Sequence, residues 1–183
     1  MDNFNKYNVL LVNANLIKSI TNISDNTAES YILPAISLAQ DIDLESVIGT
    51  SLKEALQEIV YDNLIDTEGY SNYKYLLDKY IQPFLCYTTI THLVPTVAYK
   101  IANAGILRTD DEKSYNVSSN EVDKIKAYYQ HLADVYKNRL QRYLIAEYNA
   151  YPELGQWKSL ASLKANLYSS ASCGLSLGGK RGK

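Results

Sequence analysis

From Ser118 to Tyr148 the chain runs without a proline or a glycine, and Val122, Ile125, Tyr129, Leu132, Tyr136, Leu140, Tyr143 and Glu147 recur at steps of three and four. That spacing places them along one stripe of a helix, which predicts one long helix here. Ser118 and Glu121 supply the start. A serine hydroxyl can accept from the amide three residues on, while the glutamate reaches back to the serine amide, forming a capping box. Nothing elsewhere in the chain demands a sheet. The reading is all-α, an antiparallel bundle of about four to five main helices with a polar arm and a flexible C-terminal tail.

The segments before this helix are set by their punctuation. ANLIKSITNIS reads as a short amphipathic turn or helix after an extended start around Val9 to Val12. Asn26 with Glu29 is a second candidate capping box, opening a helix whose stripe holds Ala28, Ile32, Ala35, Ala39 and Ile42, widened by Tyr31 and Leu38. Pro34 must open that helix near its first turn or kink it. Asp43 is read as the cap of a very short helix that ends at Gly49, where positive φ costs glycine little. Ser51 with Glu54 is a third box, launching a helix with Leu52, Ala55, Leu56, Ile59, Val60 and Leu64 on one face. After the turn-rich DTEGYSN, a helical stretch from Tyr73 to Asn103 contains Pro83 and Pro95, buries Leu77, Tyr80, Ile81, Phe84, Thr88 and Thr91, and ends in a glycine cap at Gly105. ILRTDDEKSYNVSS follows as a polar excursion, a loop or a short two-stranded arm. Beyond YPELGQW a short helix is expected over Trp157 to Tyr168. Residues 1–168 read as one helical domain and 169–183 as a Gly/Ser-rich basic tail.

Composition narrows the class. With 183 residues, 46% apolar and 21% charged, one domain with a real core is expected. The net charge of -2 leaves no dominant basic face for nucleic acid or anionic membrane. The local exception is GGKRGK, where Lys180, Arg181 and Lys183 can contact phosphate, dock on an acidic partner, or keep a terminus soluble. No signal-peptide pattern and no run of roughly 18 apolar residues are present, so neither export nor a membrane span is expected. Cys86 and Cys173 sit in unlike contexts and read as free thiols. The 17 tyrosines against 2 phenylalanines fit half-buried faces and interfaces, or equally the codon usage of an AT-rich genome.

No chemistry-bearing constellation emerges. His92 and His131 lack a second ligand-type residue at helical spacing, so no metal site is read, and no cofactor. Asp41, Asp43 and Glu45 alternate like a cation loop but lack the glycine and later donors of a calcium loop; capping accounts for Asp43 and solvent exposure for the others. No phosphate-cradling loop exists, and neither cysteine has a histidine close in sequence. An enzyme is not expected.

Taken in order, LIKSITNISDN, YILPAISLAQDIDLESVIGTSLKEAL, LLDKYIQPFLCYTTI, IANAGI and KNRLQRYLIAEYNAYPEL, from Leu16 to Leu154, resemble the head-tail connector, or head-completion adaptor, proteins of tailed bacteriophages, of the type in phages of Bacteroides-like hosts. Leu33-Pro34, Ala39-Gln40, Leu44, Gly49-Thr50 and Asn149 to Leu154 carry most of that resemblance. It implies a helical bundle without active-site residues, made in the host cytoplasm and built into the virion neck. There it would form a ring, expected to be a dodecamer, beneath the portal protein. The ring would extend the DNA channel, with DNA as passing cargo, and offer a platform to a tail-side connector or tail protein. In related adaptors a C-terminal segment docks on the portal, the role Ser169 to Lys183 would take. The arm from Arg108 to Ser118, with Arg108 and Tyr115, and the exposed Tyr128 are expected to meet neighbouring subunits or the channel. The competing reading is a monomeric helical interaction module.

Overall fold

The chain is described over residues 6–102, 105–108 and 118–156 in a computed structural model. Among these residues the order is α1 (Ala14–Ile20), α2 (Glu29–Leu38), a π-helical segment (Ala39–Leu44), α3 (Glu45–Ile48), α4 (Thr50–Tyr61), α5 (Ser71–Leu76), a second π-helical segment (Leu77–Ile81), α6 (Gln82–Ala98), a hairpin of β1 (Tyr99–Ala102) and β2 (Gly105–Arg108), and α7 (Ser119–Ala146). The fold is an all-α bundle with one short two-stranded arm.

Several helix boundaries differ from the sequence reading, each for a local reason. The Asn26–Glu29 box does not form; α2 starts after Ala28, which has no side-chain cap. Pro34 lies inside α2, on its exposed side. Asp43 caps nothing. From Glu29 to Ile48 the chain is continuously helical, and the widened π turn carries it through the acidic stretch without a break. The run stops at Gly49, whose φ of 79° and ψ of 161° belong to a region reserved for glycine. Gly49 also precedes α4 directly, so Ser51 is already within the helix and its box with Glu54 is not the cap. Ser118 and Glu121 do form the full capping box of α7. The long helix before the arm ends at Ala98, not Asn103, and Gly105 begins a strand instead of capping a helix. Register pairs Tyr99 with Arg108 and Ala102 with Gly105. The expected helix over Trp157 to Tyr168, the tail 169–183 and most of the arm lie outside the described residues.

Helix α6 is the axis of the bundle. It packs against α1, α2 and, along its length, α7. Ile32, Ile36, Leu52, Leu56, Phe84, Leu85, Leu140 and Leu144 meet in one core. The run of the second π segment into α6 lies antiparallel to α7 and is keyed to it by two stacked ring pairs, Tyr80 of the π segment on Tyr143 at 4.1 Å and Tyr87 of α6 on Tyr136 at 5.0 Å. The members of each pair lie seven residues from their counterparts on both helices, so the stacks recur every two turns.

The segment Val9 to Val12 crosses the core without helix or sheet partners, and its buried backbone groups need others. Three glutamines from three elements provide them. Gln40 accepts from the Leu11 amide at 2.9 Å and donates to the Val9 carbonyl at 3.0 Å; Gln57 donates to the same carbonyl at 2.9 Å, and Gln82 to the Leu11 carbonyl at 3.3 Å.

Candidate assembly surfaces

Of the predicted contact residues, Tyr128 stands on α7 with 60% of its surface exposed, its ring edge-on to Tyr129 at 5.3 Å. Arg108 is the last residue of β2. Tyr115, Lys180, Arg181 and Lys183 lie outside the described residues. The antiparallel register set by the ring stacks continues to the start of α7 and brings Tyr128 level with the last turns of α6, at the end where the hairpin leaves. Val97, Tyr99 and Ile125 are also exposed at this end.

Below Tyr128 the solvent side of α7 forms a ridge. Steps of three and four residues carry it through Lys124, Tyr128, His131, Val135, Arg139 and Arg142, all exposed. The Arg139 guanidinium lies 5.0 Å from the centre of the Tyr136 ring, a cation–π contact that steadies the charge on the surface.

A second ridge lies on α2 and its π continuation. Tyr31, Pro34, Leu38 and Ile42 are exposed along it while Ile32, Ala35, Ile36 and Ala39 face the core. The acids beside it are engaged: Asp43 is no cap and Glu45 is partly covered, while Asp41 is exposed as expected yet also paired. Lys53, with its side chain only 11% exposed, hydrogen-bonds the Glu45 carboxylate and reaches Asp41 at 3.2 Å; Thr50 donates to Glu45 at 2.7 Å. Burial alone would pull the Lys53 ammonium down, but the bonds to Glu45 and Asp41 prevail and hold it above its usual value. Lys53 and Thr50 in turn hold the Glu45 carboxyl below the usual range. Asp43 lies 2.7 Å from His92 Nε2, tying the π turn to α6. The two residues are far apart in sequence, and no local pattern could have paired them. The periodicity also gave no sign of the buried Lys53 and Gln57, since both interrupt an apolar stripe.

At the other end of the bundle Tyr151, fully buried, shares a hydrogen bond of 3.0 Å with Tyr143 and donates to the Asn72 carbonyl at 3.0 Å. Tyr73 packs edge-on to Tyr151 and donates to Glu153 at 2.9 Å. Burial and the Glu153 carboxylate push the Tyr73 hydroxyl up to about 12, and burial with the Tyr143 bond raises that of Tyr151. Cys86 is a buried free thiol, pushed up to about 12 by burial. Among the described residues no group of three or more His, Cys, Asp or Glu side chains is placed to hold a metal ion, and no helix is long and apolar enough to cross a membrane.

These features describe an all-α bundle with an apolar ridge on α2, a mixed basic and apolar ridge on α7, and polar ties behind the first. The chain belongs to a family of unknown function (DUF6712), whose model matches residues 44–161, from the end of the first π segment to beyond α7. No curated protein and no solved structure matches the chain at a significant level.

Proposed function

We propose that the protein is a structural component of the bacteriophage virion neck, a ring-forming connector that joins the portal to the tail or next connector and extends the DNA channel. The supporting observation is the end of the bundle where Ile125, Tyr128, Val97 and Tyr99 stand exposed next to the hairpin. Exposed aromatic and branched side chains clustered on ordered elements suit a protein–protein contact, since tyrosine buries a large apolar body while its hydroxyl stays paired. The sequence resemblance supplies the setting: neighbouring copies around the channel, the portal above, and Lys180, Arg181 and Lys183 of the tail directed to the portal. The mild net charge of -2 would let DNA pass without being gripped.

Co-expression with the portal protein of the same phage tests the proposal. Native mass spectrometry and electron microscopy of the purified material are expected to show a ring of this chain on the portal. A chain that stays monomeric and unbound beside an assembled portal would overturn the connector reading in favour of a monomeric interaction module.

A further inference from the structure

We infer that the α2 ridge of one copy seats on the α7 ridge of the next, so that the chain associates with itself head to tail through two different surfaces. This rests on the assembly reading above and names the contact used. Both ridges are apolar at their centres: Tyr31, Leu38 and Ile42 are 45%, 45% and 58% exposed, and Tyr128 and Val135 are 60% and 43% exposed. Side chains of this size on two ordered helices have area to bury, and the backbone that carries them is already fixed.

Their charges differ in sign. From Glu29 to Ile48 the chain carries Glu29, Asp41, Asp43 and Glu45 and no lysine or arginine. Lys53, reaching in from α4, offsets part of that, and Asp43 is already tied to His92. From Lys124 to Arg142 it carries Lys124, Lys126, Lys137, Arg139 and Arg142 against one acid, Asp134. Pairing either ridge with its own copy sets like charges together across a contact that excludes water, which disfavours both two-fold arrangements. Pairing one with the other brings acid to base near both ends of the line. The lengths agree as well: Glu29 to Glu45 spans about 24 Å of helix and Lys124 to Arg142 about 27 Å. A contact between unlike surfaces propagates, closing into a ring when the rotation per copy divides a full turn.

Two variants and their mixture test this. Leu38→Asp spoils the α2 ridge and Tyr128→Asp the α7 ridge; both positions are exposed, so far-UV circular dichroism and the melting temperature should match the parent. Sedimentation velocity of the full chain is expected to show wild-type assemblies larger than a dimer, and self-association of each single variant weakened roughly tenfold or more. An equal mixture of the two variants is expected to give dimers and nothing larger, because each supplies the ridge the other lacks. A mixture that stays monomeric overturns the inference, as does a dimer formed by either variant alone. Should the ring form on the portal and ignore both substitutions, this contact is wrong while the connector reading stands; a wild-type chain that neither self-associates nor rings on the portal removes both.

Discussion

Lys53 of α4 and Glu45, the first residue of α3, face each other across Gly49, so an ion pair spans the break between the two helices. The ammonium is nearly buried and the two carboxylates it serves are partly wet. Replacing Lys53 with Met keeps the stem and removes the charge, leaving carboxylates that water can still reach in part. A loss of about 1–3 kcal/mol is expected in urea unfolding, with Asp41→Asn costing less than Glu45→Gln.

The same junction makes stability depend on pH at both ends. Glu45 is held below its ordinary 4.5, so the folded chain binds that proton more weakly than the unfolded one. Its contribution is present above pH 4.5 and is lost as the pH falls through the lower folded value. Lys53 is held above 10.5, so its contribution is present below that pH and is lost as the pH rises through the folded value. Melting curves should show the gap between wild type and Glu45→Gln open at neutral pH and closing below pH 4.5.

Gly49 tolerates no side chain at φ 79° and ψ 161°. Gly49→Ala should cost about 1–3 kcal/mol, read as a lower urea midpoint at unchanged slope.

Gln40→Leu removes the acceptor of the Leu11 amide and one of the donors to the Val9 carbonyl, all in the core. About 1–3 kcal/mol is expected to be lost, and hydrogen exchange at the Leu11 amide should accelerate beyond what global unfolding allows.

Thr89 runs the other way. Its hydroxyl is buried without a hydrogen-bond partner, as is that of Thr88. Thr89→Val keeps the shape and discards the orphan group, so a gain of about 1 kcal/mol is expected in thermal unfolding.

The long helices were legible because local signals agreed. Ser118 with Glu121 opened α7 as read, and the apolar spacing of α4 matched its buried face. The acidic stretch was misread for a definable reason. A regular α-helical count carries the stripe of Ile32, Ala35 and Ala39 on to Ile42, but the π turn widens the helix and shifts its phase, so Leu44 enters the core and Ile42 is left 58% exposed. Winding of that kind is imposed by packing on α6, and no residue in AQDIDL announces it. The pairing of Asp43 with His92 and the three glutamines around Val9 are likewise products of the assembled fold. Of the candidate contact residues, Tyr128 was legible from its place off the buried stripe, whereas Tyr31, Leu38 and Ile42 were counted with the buried stripe of α2; the phase shift accounts for Ile42, while Tyr31 and Leu38 lie at the edge of the stripe before the π turn.

The two ring stacks that α7 makes with α6 and with the π segment before it have a mechanical consequence. Because Tyr80 on Tyr143 and Tyr87 on Tyr136 are two turns apart and in step, sliding α7 along α6 by a single turn would unstack both pairs at once. The pair of helices therefore resists shear as a splined joint does, and a load applied at the hairpin end would reach the Tyr151 end as displacement of one stiff strut.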